Sequence, residues 1–143
     1  PEIRAGAPDD AKFFFDVAKA AVDAFGDRVS TLTDGQDLGH GITVKHLPGH
    51  TPGHCGLRIE DGGESLFIWG DIVHVPPVQL AMPEVTIAFD IDPDQARTTR
   101  AEILDMVATD RLKIAGSHIT FPCVGHLAKA GSGYRFEPQP WEY

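Results

Sequence analysis

Pro52 sits between two histidines in the stretch Leu47 to Leu57, LPGHTPGHCGL, which packs two histidines, two prolines and three glycines into eleven residues. Proline lacks a backbone N–H and clashes with the preceding helical turn. His50 and His54 therefore cannot share a helix face as an i, i+4 pair, the arrangement used by helical metal motifs. Their imidazoles are aimed by a stiff loop, and the rest of the chain has to supply what they are aimed at.

The chain of 143 residues suits a single domain over 1–143, with 42% hydrophobic and 23% charged residues, ordinary globular values. A net charge of −9 argues against nucleic acid or an anionic membrane surface as partner. No apolar run approaches the roughly eighteen residues of a spanning helix. No basic segment followed by an apolar one marks a signal peptide, and Cys55 and Cys123 form no C-x-x-C. Two reduced thiols in a cytoplasmic protein is the plain expectation.

Phe14, Val17, Ala18, Ala21, Val22 and Phe25 recur at helical spacing after Asp9-Asp10, and Gly26 stops the helix. Arg28 to Gly41 is polar and turn-rich. Ile42, Val44 and His46 alternate as a half-buried strand. Cys55 to Ile59 reads as a second strand, Asp61-Gly62-Gly63 as a turn, and Leu66 to Trp69 as a strand buried on both faces. Val78 to Met82 and Val85 to Phe89 are expected to be short extended pieces. Asp92-Pro93 starts a helix running to Thr109 that buries Ala96, the stem of Arg100, Ile103, Leu104 and Val107. Leu112 to Ala115 and Tyr134 to Glu137 complete the strands. The order gives layered α/β or α+β architecture.

His50, Asp71 and His118 each follow an expected strand in a glycine-containing turn. Strand ends cluster at one sheet edge, where such folds place their sites. A carboxylate at the mouth of a buried strand needs a cation or several donors to offset its desolvation. Imidazole and carboxylate together suit zinc, manganese, iron or cobalt, and a carboxylate can bridge two ions about 4 Å apart. Singly, each residue fits an ordinary structural role, a satisfied histidine or an Asx turn; it is the common placement that points to metal. His54 fits a loop-holding role, and His74 either lines the pocket or bonds Asp71. His40 and His46 read as surface or strand positions, His126 as solvent-exposed, and the cysteines as core or semi-buried thiols. Trp69, Phe89 and Phe121 could pack the core or wall an apolar pocket.

The motifs PGHTPGH, a buried strand ending in Gly70-Asp71, and GSHITFP resemble the metallo-β-lactamase superfamily of αββα hydrolases. WGDIVHVPPVQ, VTIAFDID and GSHITFPCVGHLAKAGSGYRFEP are similar to the branch containing methyl parathion hydrolase. The resemblance implies the C-terminal half of the sandwich, a mixed sheet with flanking helices. It implies a site of two zinc ions, with His50 on one, His118 on the other and Asp71 bridging both as the catalytic carboxylate. A hydroxide held by the pair then attacks a small ester-like substrate: phosphotriester, lactone, carboxylic ester or thioester. The sequence departs from the family in having no His-x-His-x-Asp-His. Three of the usual seven ligands are present, so weak or partial zinc occupancy and no activity of the chain alone are expected. The alternative is a non-catalytic half-domain acting through association. The nuclease branch is disfavoured by the charge. A sheet lacking its partner sheet is expected to pair as a homodimer or with the missing N-terminal half.

Overall fold

The computed structural model describes residues 5–6 and 8–140. It divides into two compact units, Pro1–Leu32 and Thr33–Tyr143. In the first unit, helix α1 spans Asp9–Phe25 and ends where Gly26 takes a positive φ, its N–H bonding Val22 O; a 3-10 turn, Gly26–Arg28, follows. The helical spacing foretold this element, although its apolar stripe lies on the surface: Phe14, Val17, Val22 and Phe25 are each more than half exposed.

The second unit is one seven-stranded sheet whose spatial order follows the sequence. The strands are β1 (Asp37–Gly39), β2 (Ile42–His46), β3 (Cys55–Asp61), β4 (Glu64–Ile68), β5 (Lys113–Ala115), β6 (Val124–Ala130) and β7 (Gly133–Pro138). All neighbours are antiparallel except β4 and β5. That one parallel step needs a crossover, which carries α2 (Pro76–Gln79) and α3 (Pro93–Thr109).

Helix α3 begins and ends where the sequence placed it. Asp92 caps it, its carboxylate accepting the Gln95 N–H at 3.0 Å, with Pro93 at the first helical position. Ile103, Leu104 and Val107 pack on Phe67, Trp69, Ile114 and Leu127 to form the core. Leu66 to Trp69 was expected to be buried on both faces. Phe67 and Trp69 are, but Leu66 and Ile68 are only half-buried, because α3 covers one face of the sheet.

Residues 78–82 lie in a helical turn rather than an extended piece, and 85–89 form no strand. Pro76-Pro77 preset helical φ values, and the buried Gln79 side chain holds the turn. Its Oε1 accepts the His74 and Val75 N–H groups at 2.7 and 3.0 Å, and its Nε2 donates to Val85 O at 3.0 Å. β1 and β6 were missed. β6 places Gly125 and Leu127 on the buried face, between half-exposed Val124, His126 and Ala128, so its apolar contrast is weak.

Candidate metal centre

β2, β4 and β5 run in the same direction, since two antiparallel steps and one parallel step separate them. The loops after their C-terminal ends therefore meet at one sheet edge, and they carry His50, Asp71 and His118. The structure brings all three together. Asp71 lies between the histidines, Oδ2 at 3.8 Å from His50 Nε2 and Oδ1 at 3.4 Å from His118 Nε2. The His74 ring fills the space behind, its centroid 4.6 Å from that of His50 and 4.4 Å from that of His118. Two sets of donor atoms each lie within 4.8 Å of one another: His50, His74 and Asp90, and Asp71, His74 and His118.

The loop holding His50 is fixed from three sides. Gly49 has a φ of 129°, and a Cβ there would lie 2.3 Å from Ala96 Cα, so the loop can touch the start of α3 only as glycine. Gly49 O and His50 O accept the Asp92 and Ile91 N–H groups, and the Thr99 hydroxyl donates to Pro48 O at 2.6 Å. His54 supplies the third side. Its Nδ1 donates to Leu47 O at 3.0 Å and its Nε2 accepts the Asp71 N–H at 2.9 Å, joining the His50 loop to the Asp71 loop. Gly70 makes room for this, since a Cβ there would lie 2.5 Å from His54 Nε2.

The electrostatics suit lone-pair donation. Burial raises the Asp71 carboxyl, but a hydrogen bond from Ser117 and the nearby His118, His74 and His50 outweigh it and leave the group below its ordinary value. Burial lowers His74, and neighbouring His50 and His118 lower it further. Burial likewise lowers His54, against the hydrogen bond to Leu47 O. A carboxylate held charged and a His74 imidazole biased toward its neutral form are the states that metal ligands require.

His40 and His46 are exposed, the latter bonding Pro52 O at 2.8 Å; His126 is half-buried in β6 rather than on the surface. Trp69 is fully buried in the core, whereas Phe89 and Phe121 are 76% and 73% exposed. Both cysteines are partly buried, as expected. Sequence reasoning missed Ser117 and, more consequentially, Asp90. The Asp90 side chain is fully buried, 3.3 Å from His50 Nδ1. A signal did exist. Arg100 falls on the buried stripe of α3, and a buried guanidinium requires a carboxylate.

A family model described as the metallo-beta-lactamase superfamily matches residues 1–118. Among solved structures, the chain is 33% identical to hydrolase AbOPH of the beta lactamase superfamily, with a TM-score of 0.88 over 98% of this chain and 50% of that one. AidC, described as a dizinc quorum-quenching lactonase, is 21% identical, with a TM-score of 0.87 over 95% of this chain and 46% of that one, and shows the shared fold. The chain thus spans about half the length of these relatives. No match was found among curated proteins. With 118 residues under the family model and 33% identity to AbOPH over 98% of its length, the chain belongs to the metallo-beta-lactamase superfamily of hydrolases.

Proposed function

We propose that this chain furnishes one side of the metal centre of a hydrolase acting on ester-like bonds: phosphotriesters, lactones, carboxylic esters or thioesters. One observation carries the reading. The Asp71 carboxylate is set between His50 Nε2 and His118 Nε2, one oxygen toward each. A buried nitrogen beside them, His74 Nδ1, has no hydrogen-bond partner among the described residues. An unsatisfied buried imidazole nitrogen costs stability, and three imidazoles with a carboxylate form a donor set that suits zinc. The residues present therefore fit the group.

His50 and His118 would each hold one zinc ion, and Asp71 would span both. Bound there, the ions supply a nucleophile at neutral pH and polarise the electrophile. The chain's own residues orient that centre. His54 fixes the Asp71 backbone, Ser117 steadies its carboxylate, and the Gly49 and Thr99 contacts fix the direction of His50. The lactonase description of AidC supports the ester-like substrate class.

With so few donors for each ion, the chain by itself should retain fewer than two zinc ions after dialysis and hydrolyse nitrophenyl esters, lactones and phosphotriesters no faster than metal-free buffer. In a protein of the relatives' full length carrying this chain, His50→Ala, Asp71→Ala and His118→Ala should each cost more than the roughly 10–100-fold typical of residues that only orient a ligand. Intact turnover in Asp71→Ala would remove its bridging role.

A further inference from the structure

The Asp90 carboxylate has all its visible interactions directed at fixed partners. Oδ1 faces His50 Nδ1 at 3.3 Å. Oδ2 accepts the Ile87 N–H at 3.2 Å and lies 3.4 Å from the Arg100 guanidinium. Arg100 is itself buried, and donates to Ile72 O at 2.6 Å, Pro83 O at 3.0 Å and Val85 O at 2.8 Å. Ile72 directly follows Asp71. One buried cation thus reaches the Asp71 loop through a carbonyl and the His50 ring through Asp90.

An ionised carboxylate can only accept hydrogen bonds. Asp90 Oδ1, 3.3 Å away, is within hydrogen-bond reach of His50 Nδ1, whereas Asp71 Oδ2 stands 3.8 Å from Nε2, beyond it; a single ring proton therefore belongs on Nδ1, and Nε2 keeps its lone pair on the side where Asp71 lies. With both oxygens engaged, Asp90 has little capacity left to ligate an ion alongside His50 and His74. We propose that Asp90, held by Arg100, is a positioning residue that fixes His50 as the Nδ1–H tautomer, presenting Nε2 to a cation. This deepens the metal-centre reading and rests on it for its consequence, although the tautomer itself belongs to the metal-free chain. The same logic recurs wherever a carboxylate orients a metal-binding imidazole. Here the orienting carboxylate lies forty residues away, in the crossover between β4 and β5.

The experiment is nitrogen-15 NMR of the imidazole rings in the full, metal-free chain, above the ordinary imidazole titration range of about 6.5. His50→Gln assigns the ring. The expected result is a pyrrole-type Nδ1 and a pyridine-type Nε2 for His50. The opposite pattern, or an even mixture, overturns the proposal whatever metal the chain binds. Asp90→Ala, where it folds, should lose the Nδ1–H preference; an unchanged ring would also overturn it. If that variant does not fold, the wild-type ring still decides, and Arg100→Lys, which retains a cation, should leave His50 as Nδ1–H. Zinc competition with a chelator is read separately. A correct tautomer with no zinc binding counts against the metal-centre reading alone, whereas zinc binding with the wrong tautomer counts against the role of Asp90 alone.

Discussion

Gly49 and Gly53 lie in one loop and have opposite surroundings. A Cβ at Gly49 would meet Ala96 N at 2.2 Å, and its φ of 129° is one that side-chain-bearing residues rarely adopt; at Gly53 nothing lies within 4 Å. The neighbour at Gly49 is helix backbone and cannot give way. Gly49→Ala should therefore cost about 3 kcal/mol and loosen zinc through His50, the next residue. Gly53→Ala should stay within about 0.5 kcal/mol of wild type. Urea midpoints of the two variants check this, and equal midpoints would show that the loop does not rest on α3. At this scale the clustering of His50, Asp71 and His118 was legible, because a strand end, a glycine and a polar residue are neighbours in sequence. Asp90 was not, because its meaning depends on His50 and Arg100, and only the folded crossover brings these together.

Helix α3 was legible to the residue because its boundaries are written locally, in Asp92-Pro93 at the start and the apolar period that follows. Its cap can be tested directly. Asp92→Ala should cost about 1 kcal/mol, seen as a lower denaturation midpoint with an unchanged slope. The turn at Pro76–Gln79 was misread because its stabilising contact is a single side chain reaching back to His74 and Val75. Strand β2 depends on a similar contact. Asp34 Oδ1 accepts the His46 N–H at 2.7 Å. That hydrogen bond, helped by Lys45, outweighs the opposing effect of desolvation and holds the carboxyl below its ordinary 3.8. A carboxyl lowered in the folded state binds its proton more readily when unfolded. Its contribution is complete above the unfolded value and is lost as pH falls through the folded one. Asp34→Asn should accordingly flatten the loss of stability on acidification between roughly pH 5 and pH 2, measured as urea midpoints across that range. An acid limb identical to wild type would mean that the bond is not populated.

Across the seven-stranded sheet, register decides which residues share a face. Ile42 is paired with Ile59 and Ile59 with Leu66, while Val44 is paired with Leu57 and Leu57 with Ile68. This row lies on the face opposite Phe67 and Ile114, which α3 covers. Val44 in this row is buried, 1% exposed, while Ile42, Leu57, Ile59, Leu66 and Ile68 around it are half-buried. The continuous apolar run of β4 foretold this in part. It announced that both faces are apolar, but it could not show which of them α3 covers. Apolar residues contiguous across three strands usually mark an interface, and two copies of one face can meet about a two-fold axis. The chain is therefore expected to be dimeric at micromolar concentration by light scattering. Ile59→Lys, central in the row and at a position that is not fully buried, should shift it to monomer while leaving the α3 core and its circular dichroism intact. A wild-type monomer would show that this face tolerates water. A dimer unaffected by Ile59→Lys would move the contact to another surface.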